Sequence, residues 1–455
     1  MSQTNYVGTN KLLVGLVLAV LSFWLFAQSL LNISPLVQQS LGLADSTITT
    51  GVSITSLMAG LFIVVAGGFA DRFGRVKFSL LGLGLNVLGS LCLVLATNAP
   101  LFLTGRVLQG LASACIMPAT LALVKAYYQG SERQRAVSYW SMGTWGGTGL
   151  ASFFGGAVAG ALGWKYIFIF SIIASLVSFA LIWGTPESKV EQAPKGFDYL
   201  GLFLFIVSML ALNLGISSAK EQGFLAAKTL GLFALVLVGL FIFYFVENRQ
   251  TTKFIDFKLF ANKYFLGASL SNFLLNTVAG TLIVINTYLQ KGRGLSASTS
   301  GLLSLGYLAC VLITIRIGEV LLKKWGARKP MLLGPCITFI GVLLMTLVNI
   351  QGSAYYVVVF IGYALFGTGL GIYATPSTDT AISHVDEAEV GAASGIYKMA
   401  SSLGNSLGTA ISLTVFLAFS ASGNYDQAAL AGLITNLICC ALSITSILLI
   451  VPNEK

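Results

Sequence analysis

Long apolar stretches alternate with short polar segments along the whole chain. A transmembrane helix needs about 20 predominantly apolar residues to cross the hydrocarbon core of a bilayer. By this criterion the pattern predicts an all-α, polytopic membrane protein with fourteen transmembrane helices. They are expected at approximately 11–34, 47–70, 77–97, 99–124, 138–160, 164–184, 198–218, 228–247, 263–287, 298–322, 331–349, 354–380, 392–418 and 428–451.

The composition supports this class of protein. Hydrophobic residues make up 56% of the chain, charged residues make up only 9%, and the mean hydropathy is +0.86. A soluble domain has about 25% charged residues, so this chain is far more apolar than a soluble protein. The first apolar stretch is longer than the core of a secretory signal peptide and lacks a small-residue cleavage site. We therefore expect it to remain as the first helix.

The net charge of +10 comes from an uneven distribution of lysine and arginine. Eighteen of the 26 lie in the termini and connections on one side of the predicted membrane, five lie on the other side, and three lie within helices. Cytoplasmic segments of membrane proteins carry such an excess of positive charge. We expect both termini in the cytoplasm and the protein in the plasma membrane, and we attribute the basic character to topology rather than to nucleic acid binding.

Two distant parts of the chain resemble each other. The sequences RFGRVK at 72–77 and KWGARK at 324–329 share a basic residue, an aromatic residue, a glycine and, three positions later, a lysine. The first follows predicted helix 2 and the second follows predicted helix 10. Helices 4 and 12, which contain Pro118 and Pro376, repeat this offset of eight helices, and so do the glycine-containing helices 5 and 13. The pattern predicts two homologous, pseudo-symmetric halves of six helices each.

Two further helices lie between these halves. An offset of eight rather than six implies that helices 7 and 8 are inserted, and polar linkers with proline, glycine and charges flank them. We expect an N-terminal six-helix bundle at 1–184, linkers and inserted helices at 185–262, and a C-terminal six-helix bundle at 263–455. Two such bundles around a central cavity form the architecture of a rocker-type transporter.

Several local sequences resemble those of the major facilitator superfamily. The turn GGFADRFGRVK at 67–77 is similar to the superfamily's cytoplasmic loop motif, and RVLQGLASA at 106–114 is similar to its helix-4 motif. Three further phrases resemble the fourteen-helix drug/proton antiporter branch: FDYLGLFL at 197–204, FIDFKLFANKYF at 254–265 and YLQKGRGLSASTSGLLSL at 288–305. The resemblance implies proton-driven export by alternating access.

The chain departs from this branch at two places that concern coupling. The helix-5 antiporter motif usually contains a proline, but here ASFFGG at 151–156 lacks it. Helix 1 usually carries an embedded acid, but here Ala27 stands at that position, beside Gln28 and with Asn32 retained. The coupling residues of the family therefore cannot be transferred directly to this sequence.

The charged turn at 67–77 interrupts apolar sequence on the predicted cytoplasmic side. The resemblance implies a cytoplasmic gate there, in which Asp71 pairs across the two halves or caps a helix N-terminus of the other half. The alternative is that the basic residues act only as topology signals, which does not account for the acid or for the glycines. The gate residues are predicted to be Gly67, Asp71, Arg72, Gly74 and Arg75.

Arg106 lies about two turns inside predicted helix 4. Placing a cation at that depth costs at least about 2.5 kcal/mol, so its side chain should face a cavity or a polar partner. The resemblance implies a role in proton coupling. The alternative is a structural arginine that holds helix 4 to helix 1 through Gln28 or Asn32.

Two carboxylates, Asp379 and Glu319, lie well inside predicted helices. A buried carboxyl group can take up a proton near neutral pH because burial disfavours its charged form. Asp379 lies one turn after Pro376, whereas Glu319 can pair with Arg316 on one helix face. We expect Asp379 to be the proton-coupling residue and Glu319 to be second. The alternative for both is that the side chain extends to the cytoplasmic interface.

Polar and aromatic side chains within helices are candidates for the substrate cavity. In helix 1 they are Gln28, Asn32 and Phe26. In helix 9 they are Asn272 and Asn276, which lie one turn apart on one face. The alternative for the asparagines is hydrogen bonding between helices.

Helix 5 contains seven glycines. Gly143 and Gly147, and also Gly156 and Gly160, have the spacing that lets two membrane helices approach closely. These glycines are predicted to form a packing face rather than a ligand site.

These features favour a proton-coupled multidrug efflux antiporter that exports amphiphilic, often cationic compounds by alternating access. The alternative is an exporter of an endogenous metabolite, lipid or siderophore with the same fold. An enzyme is not expected, because no catalytic constellation such as H-E-x-x-H occurs, and an ATP-driven pump would need a phosphate-binding loop that is missing. We expect a monomer without metal or cofactor, driven by the proton gradient, whose partners are small-molecule substrates, protons and the lipid bilayer.

Overall fold

The apolar stretches form helices throughout the computed structural model, which describes residues 6–189, 198–250, 253, 255, 257–420 and 423–453. Two π-helical segments, Ser22–Ala27 and Met142–Gly146, join α1 to α2 and α6 to α7. Short 3-10 turns at Phe257–Ala261 and Glu387–Glu389 precede α11 and α17. The α-helices of this described part, α1 to α18, are Asn10–Leu21, Gln28–Leu41, Asp45–Phe73, Arg75–Val94, Ala99–Tyr127, Gly130–Ser141, Gly147–Ala161, Lys165–Ile182, Tyr199–Gln222, Ala227–Arg249, Lys263–Thr277, Gly280–Lys291, Ala297–Leu303, Leu305–Trp325, Arg328–Met345, Ser353–Ser383, Val390–Ser420 and Tyr425–Ile450.

Within the described residues, 13 helices are long and apolar enough to cross a membrane. Each overlaps one of the predicted stretches, so the prediction of an all-α, polytopic membrane protein is confirmed. The remaining stretch, 138–160, is helical as α6, the second π segment and α7. These two α-helices contain 12 and 15 residues, too few for either to span alone. The count of fourteen spans stays a prediction.

The chain forms two compact units. The first contains the described residues up to Leu202, residues 253 and 255, and the segment Val385–Met399. The second contains Phe203–Gln250, the described residues from 257 to His384, and those from Ala400 onward. Helix α17 therefore begins in the first unit and continues in the second. The bundle boundaries and the pseudo-symmetry expected from the sequence stay predictions.

In the first unit, α4 and α5 pack closely because small residues face each other. A Cβ added at Gly89 would lie 2.8 Å from the carbonyl oxygen of Gly105, so the two backbones are nearly in contact there. Asn86 extends the contact to α8 by donating hydrogen bonds to the hydroxyls of Ser171 (3.0 Å) and Ser175 (2.8 Å). Small residues and buried hydrogen bonds are the usual means of joining helices in a membrane.

The glycines of α6 and α7 pack on helix α1 and its π segment over only part of their length. A Cβ added at Gly147 would lie 2.8 Å from that of Trp24, and Gly143 also faces α1. A Cβ added at Gly156 or Gly160 would meet no atom of the described residues within 4 Å. The predicted packing face is right for the first pair and wrong for the second. Spacing places residues on one face of a helix but does not determine how far a partner helix stays beside it.

In the second unit, α16 packs between α14 and α15 in a similar way. A Cβ added at Gly318 of α14 would lie 2.6 Å from the carbonyl oxygen of Ile372. One added at Gly341 of α15 would lie 2.7 Å from the carbonyl oxygen of Gly362. Close backbone approach on two sides buries most of α16, including the polar run at 375–380.

Helices α9 and α10 form a pair with largely exposed apolar faces. The hydroxyls of Ser218 and Thr229 lie 2.9 Å apart and join the two helices. Only 17% of the most apolar stretch of Ala227–Arg249 is buried, against 67% for Lys263–Lys291 in the same unit. A helix that is both this apolar and this exposed is suited to contact lipid.

Candidate functional site

The charged turn at 67–77 contains a one-residue connection between α3 and α4. Gly74 is that residue, and its φ of +125° is a conformation that residues with a side chain rarely adopt. The carboxylate of Glu187 lies beside Gly74 and accepts a hydrogen bond from the backbone N–H of Val76 at 2.9 Å. Glycine is therefore required by the backbone, and the segment after α8 caps the start of α4.

Asp71 joins this turn to the beginning of α17, and it is only 4% exposed. Its Oδ2 accepts hydrogen bonds from the backbone N–H groups of Gly391 (2.7 Å) and Ala392 (3.1 Å). Its Oδ1 accepts one from Nε of Arg75 at 2.8 Å. The first N–H groups of a helix lack partners within the helix and carry partial positive charge, so a carboxylate there is doubly favourable. Of the two arrangements expected for Asp71, the structure shows the capping of a helix N-terminus.

Two cations hold the segment that leads into α17. Arg75 donates a hydrogen bond to the backbone carbonyl of Glu387, and Lys125, near the end of α5, donates one to that of Val385. Arg72 is half-buried, and its guanidinium lies 5.6 Å from the centre of a neighbouring phenylalanine ring. We call Asp71, Arg75, Lys125 and Glu187, with the backbone at 385–392, the Asp71 cluster.

Gly67 allows α3 and α17 to approach each other closely. A Cβ added at Gly67 would lie 2.8 Å from the carbonyl carbon of Gly391. One added at Gly391 would lie 2.7 Å from Cγ of Asp71. One turn later, a Cβ at Gly395 would lie 2.8 Å from the carbonyl oxygen of Ile63. This close approach is what brings the carboxylate of Asp71 within hydrogen-bonding distance of the helix N-terminus.

Replacing Asp71 with asparagine is expected to lower transport about tenfold without preventing folding, since hydrogen bonds to charged groups are worth about 1.5–3 kcal/mol. The amide has one acceptor oxygen instead of two, so it cannot satisfy both Arg75 and the N-terminus of α17. Initial transport rates in vesicles, normalised to folded protein, measure the effect. Lys77→Gln, an exposed change on the same turn, is the control and should transport normally. Normal transport by the Asp71 variant would favour the topology-only interpretation.

A methyl group at Gly67 is expected to impair transport, whereas the same change at Gly68 is not. Gly67→Ala forces a Cβ into the backbone of α17, and overpacking of this kind costs about 1–3 kcal/mol. A Cβ at Gly68 would meet nothing within 4 Å. Transport rate and thermal stability of the two purified variants give the comparison. Equal effects of the two substitutions would show that the close approach of α3 and α17 is unimportant.

Arg106 is 2% exposed and is held by three acceptors in the first unit. It donates from Nε to the carbonyl oxygen of Gly51 at 2.9 Å, and from Nη1 to that of Ala27 at 3.0 Å and to Oε1 of Gln109 at 2.6 Å. Ala27 is the last residue of the first π segment, a rare conformation that often marks functional sites. Arg106 thus ties α5 to α3 and to the end of this segment.

The helix-1 candidates are placed differently from the sequence expectation. The contact between Arg106 and helix 1 exists, but it is made to a backbone carbonyl, so the expected partner Gln28 was wrong. Gln28 is half-buried at the start of α2, and the side chain of Asn32 lies outside the described residues. The ring of Phe26 packs on that of Phe154, with centroids 5.4 Å apart, in the apolar core of the first unit.

Asn272 and Asn276 are hydrogen-bonded to each other and to α17. The side-chain amide of Asn276 donates to the backbone carbonyl (2.8 Å) and to Oδ1 (2.9 Å) of Asn272. The amide of Asn272 donates in turn to the hydroxyl of Ser401 at 2.6 Å. Both asparagines are buried. Of the two interpretations of this pair, hydrogen bonding between helices is the one that the structure shows.

Both candidate coupling carboxylates lie in the second unit, and both are buried. Glu319 forms ion pairs with Arg316 and, at 2.8 Å, with Lys323 on its own helix, α14. Asp379 is 4% exposed, one turn after Pro376 in the polar run of α16. Both side chains are thus enclosed by protein, and their position relative to the membrane interface stays a prediction.

The described residues contain no group of three or more histidine, cysteine, aspartate or glutamate side chains that could hold a metal ion. The six cysteines are free. The single histidine, His384, stacks on Tyr264 with ring centroids 3.8 Å apart.

Lys398 and Glu247 are among the buried charged residues that had no role in the sequence-based prediction. Lys398, in the first part of α17, lies with its ammonium 4.4 Å from the ring centroid of Trp140. The signal that identified Arg106, a cation deep inside an apolar helix, would also have identified it. Glu247 is buried near the end of α10. It was missed because the predicted helix ended at that residue, and end positions of apolar stretches are weakly determined.

Comparison with other proteins shows that the chain is similar to membrane transporters. Residues 12–409 match the family model described as Major Facilitator Superfamily. The Quinolone resistance protein NorB of Staphylococcus aureus strain MRSA252 is 48% identical over 455 residues, which cover 100% of this chain and 98% of that protein. The protein of the same name from strain COL has the same identity and coverage.

Two solved structures share the fold. The human organic anion transporter MFSD10 (TETRAN) aligns with a TM-score of 0.66 at 15% identity and covers 96% of this chain and 98% of its own. A bacterial homologue of the iron transporter ferroportin in an outward-facing state aligns with a TM-score of 0.67 at 13% identity and the same coverage. At such low identity the likeness concerns the fold alone.

Proposed function

Because this chain belongs to the major facilitator superfamily, we propose that it exports amphiphilic drugs, quinolones among them, across the plasma membrane in exchange for protons. It is an integral membrane transporter and not an enzyme. The observation that carries the proposal is the 48% identity with a quinolone resistance protein over 100% of this chain and 98% of that one. The proposal includes fourteen spans and cytoplasmic termini, as the sequence pattern indicates, and a monomeric protein.

The Asp71 cluster supports a mechanism of alternating access. It holds the start of α17 through a buried carboxylate and through two cations that bind backbone carbonyls. Contacts of this kind form or break together, because each depends on the same placement of the helix N-terminus. A discrete set of polar contacts gives a transporter two distinct arrangements rather than a continuous deformation. We assign to the cluster the role of a gate on the cytoplasmic side.

We assign proton exchange first to Asp379. Its carboxyl group is buried in α16, and a buried carboxyl group can bind a proton near neutral pH. A cationic substrate is attracted by the ionised form, and protonation removes that attraction. Each of the two ligands therefore lowers the affinity for the other, which is the coupling that exchange requires.

The other two candidates for coupling are less suited to carry the proton. Glu319 is already engaged by two cations on its own helix. Arg106 is held by carbonyl and amide oxygens, and an arginine stays protonated in proteins. We place Glu319 second and give Arg106 a supporting part, through the position of α5 relative to the π segment.

Everted membrane vesicles from cells that express the chain provide the test. A fluoroquinolone and a fluorescent lipophilic cation serve as probes, and an acidic vesicle lumen provides the proton gradient. We expect both probes to accumulate, and we expect accumulation to stop when a protonophore collapses the gradient. Vesicles without the protein are the control. Failure to move either probe would contradict drug export, and movement that survives the protonophore would contradict proton coupling.

A further inference from the structure

We propose that Lys398 binds the carboxylate of transported amphiphiles, on a site that it forms with the ring of Trp140. This inference rests on the proposed function and adds a substrate class to it. Substrates would then include compounds that carry a negative charge next to an aromatic system. Quinolones belong to this chemical class, because each carries a carboxylate on a fused aromatic ring.

Lys398 is deeply placed and largely removed from solvent. It lies eight positions after Val390, the first residue of α17, which corresponds to about 12 Å along a helix. Its side chain is 7% exposed. Burying an isolated ammonium in such surroundings is costly unless a partner compensates its charge.

The partners of Lys398 in the structure are aromatic rings. Its Nζ lies 4.4 Å from the ring centroid of Trp140 and 5.6 Å from that of Tyr397. Among the described residues no carboxylate pairs with it. A desolvated cation–π contact compensates only part of the cost of burying the charge. The three N–H donors of the ammonium remain available for an acceptor that the protein does not supply.

The other buried cations of the first unit, Arg75 and Arg106, have oxygen partners. Asp71 and Arg75 pair with each other and with backbone groups. Arg106 has three oxygen acceptors. Lys398 is therefore the buried cation of this unit whose charge still lacks an oxygen partner in the described structure, and an anionic ligand would complete it.

The surroundings hold the site in place before a ligand arrives. Trp140 is fully buried, and its indole N–H donates a hydrogen bond to the hydroxyl of Thr120 at 3.0 Å, which fixes the plane of the ring. Gly395, one turn before Lys398, packs against the backbone of α3 at Ile63. An ammonium held in place among aromatic side chains matches a carboxylate on an apolar, aromatic ligand, and a rigid site limits the entropy lost on binding.

The test uses two probes that differ only in the carboxylate, a fluoroquinolone and its methyl ester. The full-length protein is reconstituted in liposomes as the natural sequence, as Lys398→Met and as Lys398→Arg. Lys398→Met is expected to lower transport of the acid at least about tenfold, because a hydrogen bond to a charged group is lost. The rate of transport of the ester is expected to stay within about twofold of that of the natural sequence. Lys398→Arg keeps the charge and should retain more transport of the acid. Lys324→Met, an exposed change, is the control and should transport both probes normally.

Transport of the ester by Lys398→Met shows that this variant is folded and cycles. Equal loss of both probes would overturn the proposal in favour of a structural role for the lysine. Unchanged transport of the acid would overturn it as well. If Lys398→Met still binds the acid but no longer uses the pH gradient to transport either probe, the proposal is overturned and Lys398 is assigned to proton transfer.

A binding measurement distinguishes failure of this inference from failure of the proposed function. Thermal stabilisation of the purified protein by the acid, compared with the ester, reports binding without transport. If the natural sequence transports neither probe, the proposed function fails. The lysine site would still be supported if the acid stabilises the natural protein and does not stabilise Lys398→Met. It would be contradicted if the acid stabilises both proteins equally.

Discussion

Asparagine at position 379 is expected to reduce efflux driven by the pH gradient to the background of vesicles that lack the protein. The Asp379 side chain is 4% exposed in α16, one turn after Pro376. Asparagine has nearly the same volume and can hydrogen-bond, but it does not bind and release a proton. The substitution should therefore remove the coupling and leave the fold intact. Exchange of labelled for unlabelled substrate at equal pH, which needs no proton movement, should persist.

Two matched carboxylates make this test specific. Glu132→Gln changes an exposed residue that pairs with Arg135 on the surface, and it should transport normally. Glu319→Gln changes the second candidate, which two cations already engage. Full gradient-driven efflux by Asp379→Asn would show that Asp379 has no coupling role. If Glu319→Gln also retains full efflux, the proton is carried elsewhere, with Asp71 as the next residue to test.

Removing the side chain of Arg106 is expected to lower both stability and transport strongly. Alanine removes the arginine donor from three buried oxygens, at Ala27, Gly51 and Gln109, of which, in the described structure, only that of Gly51 also accepts from a nearby hydroxyl, that of Thr55 at 3.3 Å. A buried polar group left unpaired costs about 1–3 kcal/mol, and values for membrane helices fall toward the lower end. We expect the thermal unfolding midpoint of the purified protein to fall by several degrees and transport to fall to background.

Arg106→Lys and Arg135→Ala provide the comparison. Lysine keeps the charge but has a single nitrogen, which cannot reach three separate acceptors, so an intermediate loss is expected. Arg135 forms an exposed ion pair with Glu132, and such pairs contribute about 0–1 kcal/mol. The stability and the transport rate of Arg135→Ala should therefore be almost the same as those of the natural protein. An Arg106→Ala protein that is as stable as the natural one, yet has lost only the proton drive, would assign Arg106 to coupling rather than to structure.

The placement of single charged residues could be predicted only in part. Arg106 was expected to face a cavity or a polar partner because a charge inside an apolar helix is costly, and it contacts three oxygen acceptors. For Glu319, pairing with Arg316 was one of two possibilities, and that ion pair is present. The structural alternative for Arg106 placed a side chain, Gln28 or Asn32, as its partner on helix 1, and the partner that the structure shows is the backbone carbonyl of Ala27. A π segment makes that carbonyl available, and no simple apolar pattern marks where a helix changes its hydrogen bonding. Lys398 carried the same signal as Arg106, but the sequence does not show that Trp140 lies beside it.

The sequence by itself determined the helices and their approximate ends. Bilayer thickness requires about 20 apolar residues per span whatever the neighbouring helices do, so the apolar runs could be read directly. It also determined the position of the turn at Gly74, because a charged, glycine-containing segment between two such runs has to leave the hydrocarbon.

Only the tertiary structure decided which faces of the helices meet. Asp71 and Gly391 are 320 residues apart, and their contact depends on the rotation and height of two helices. Helices that contact lipid on one side and protein on the other are apolar all round, so the sequence has little periodicity from which to infer the inner face. Packing of small residues sets that face instead, as at Gly67, whereas Gly156 and Gly160 have suitable spacing and no partner within reach.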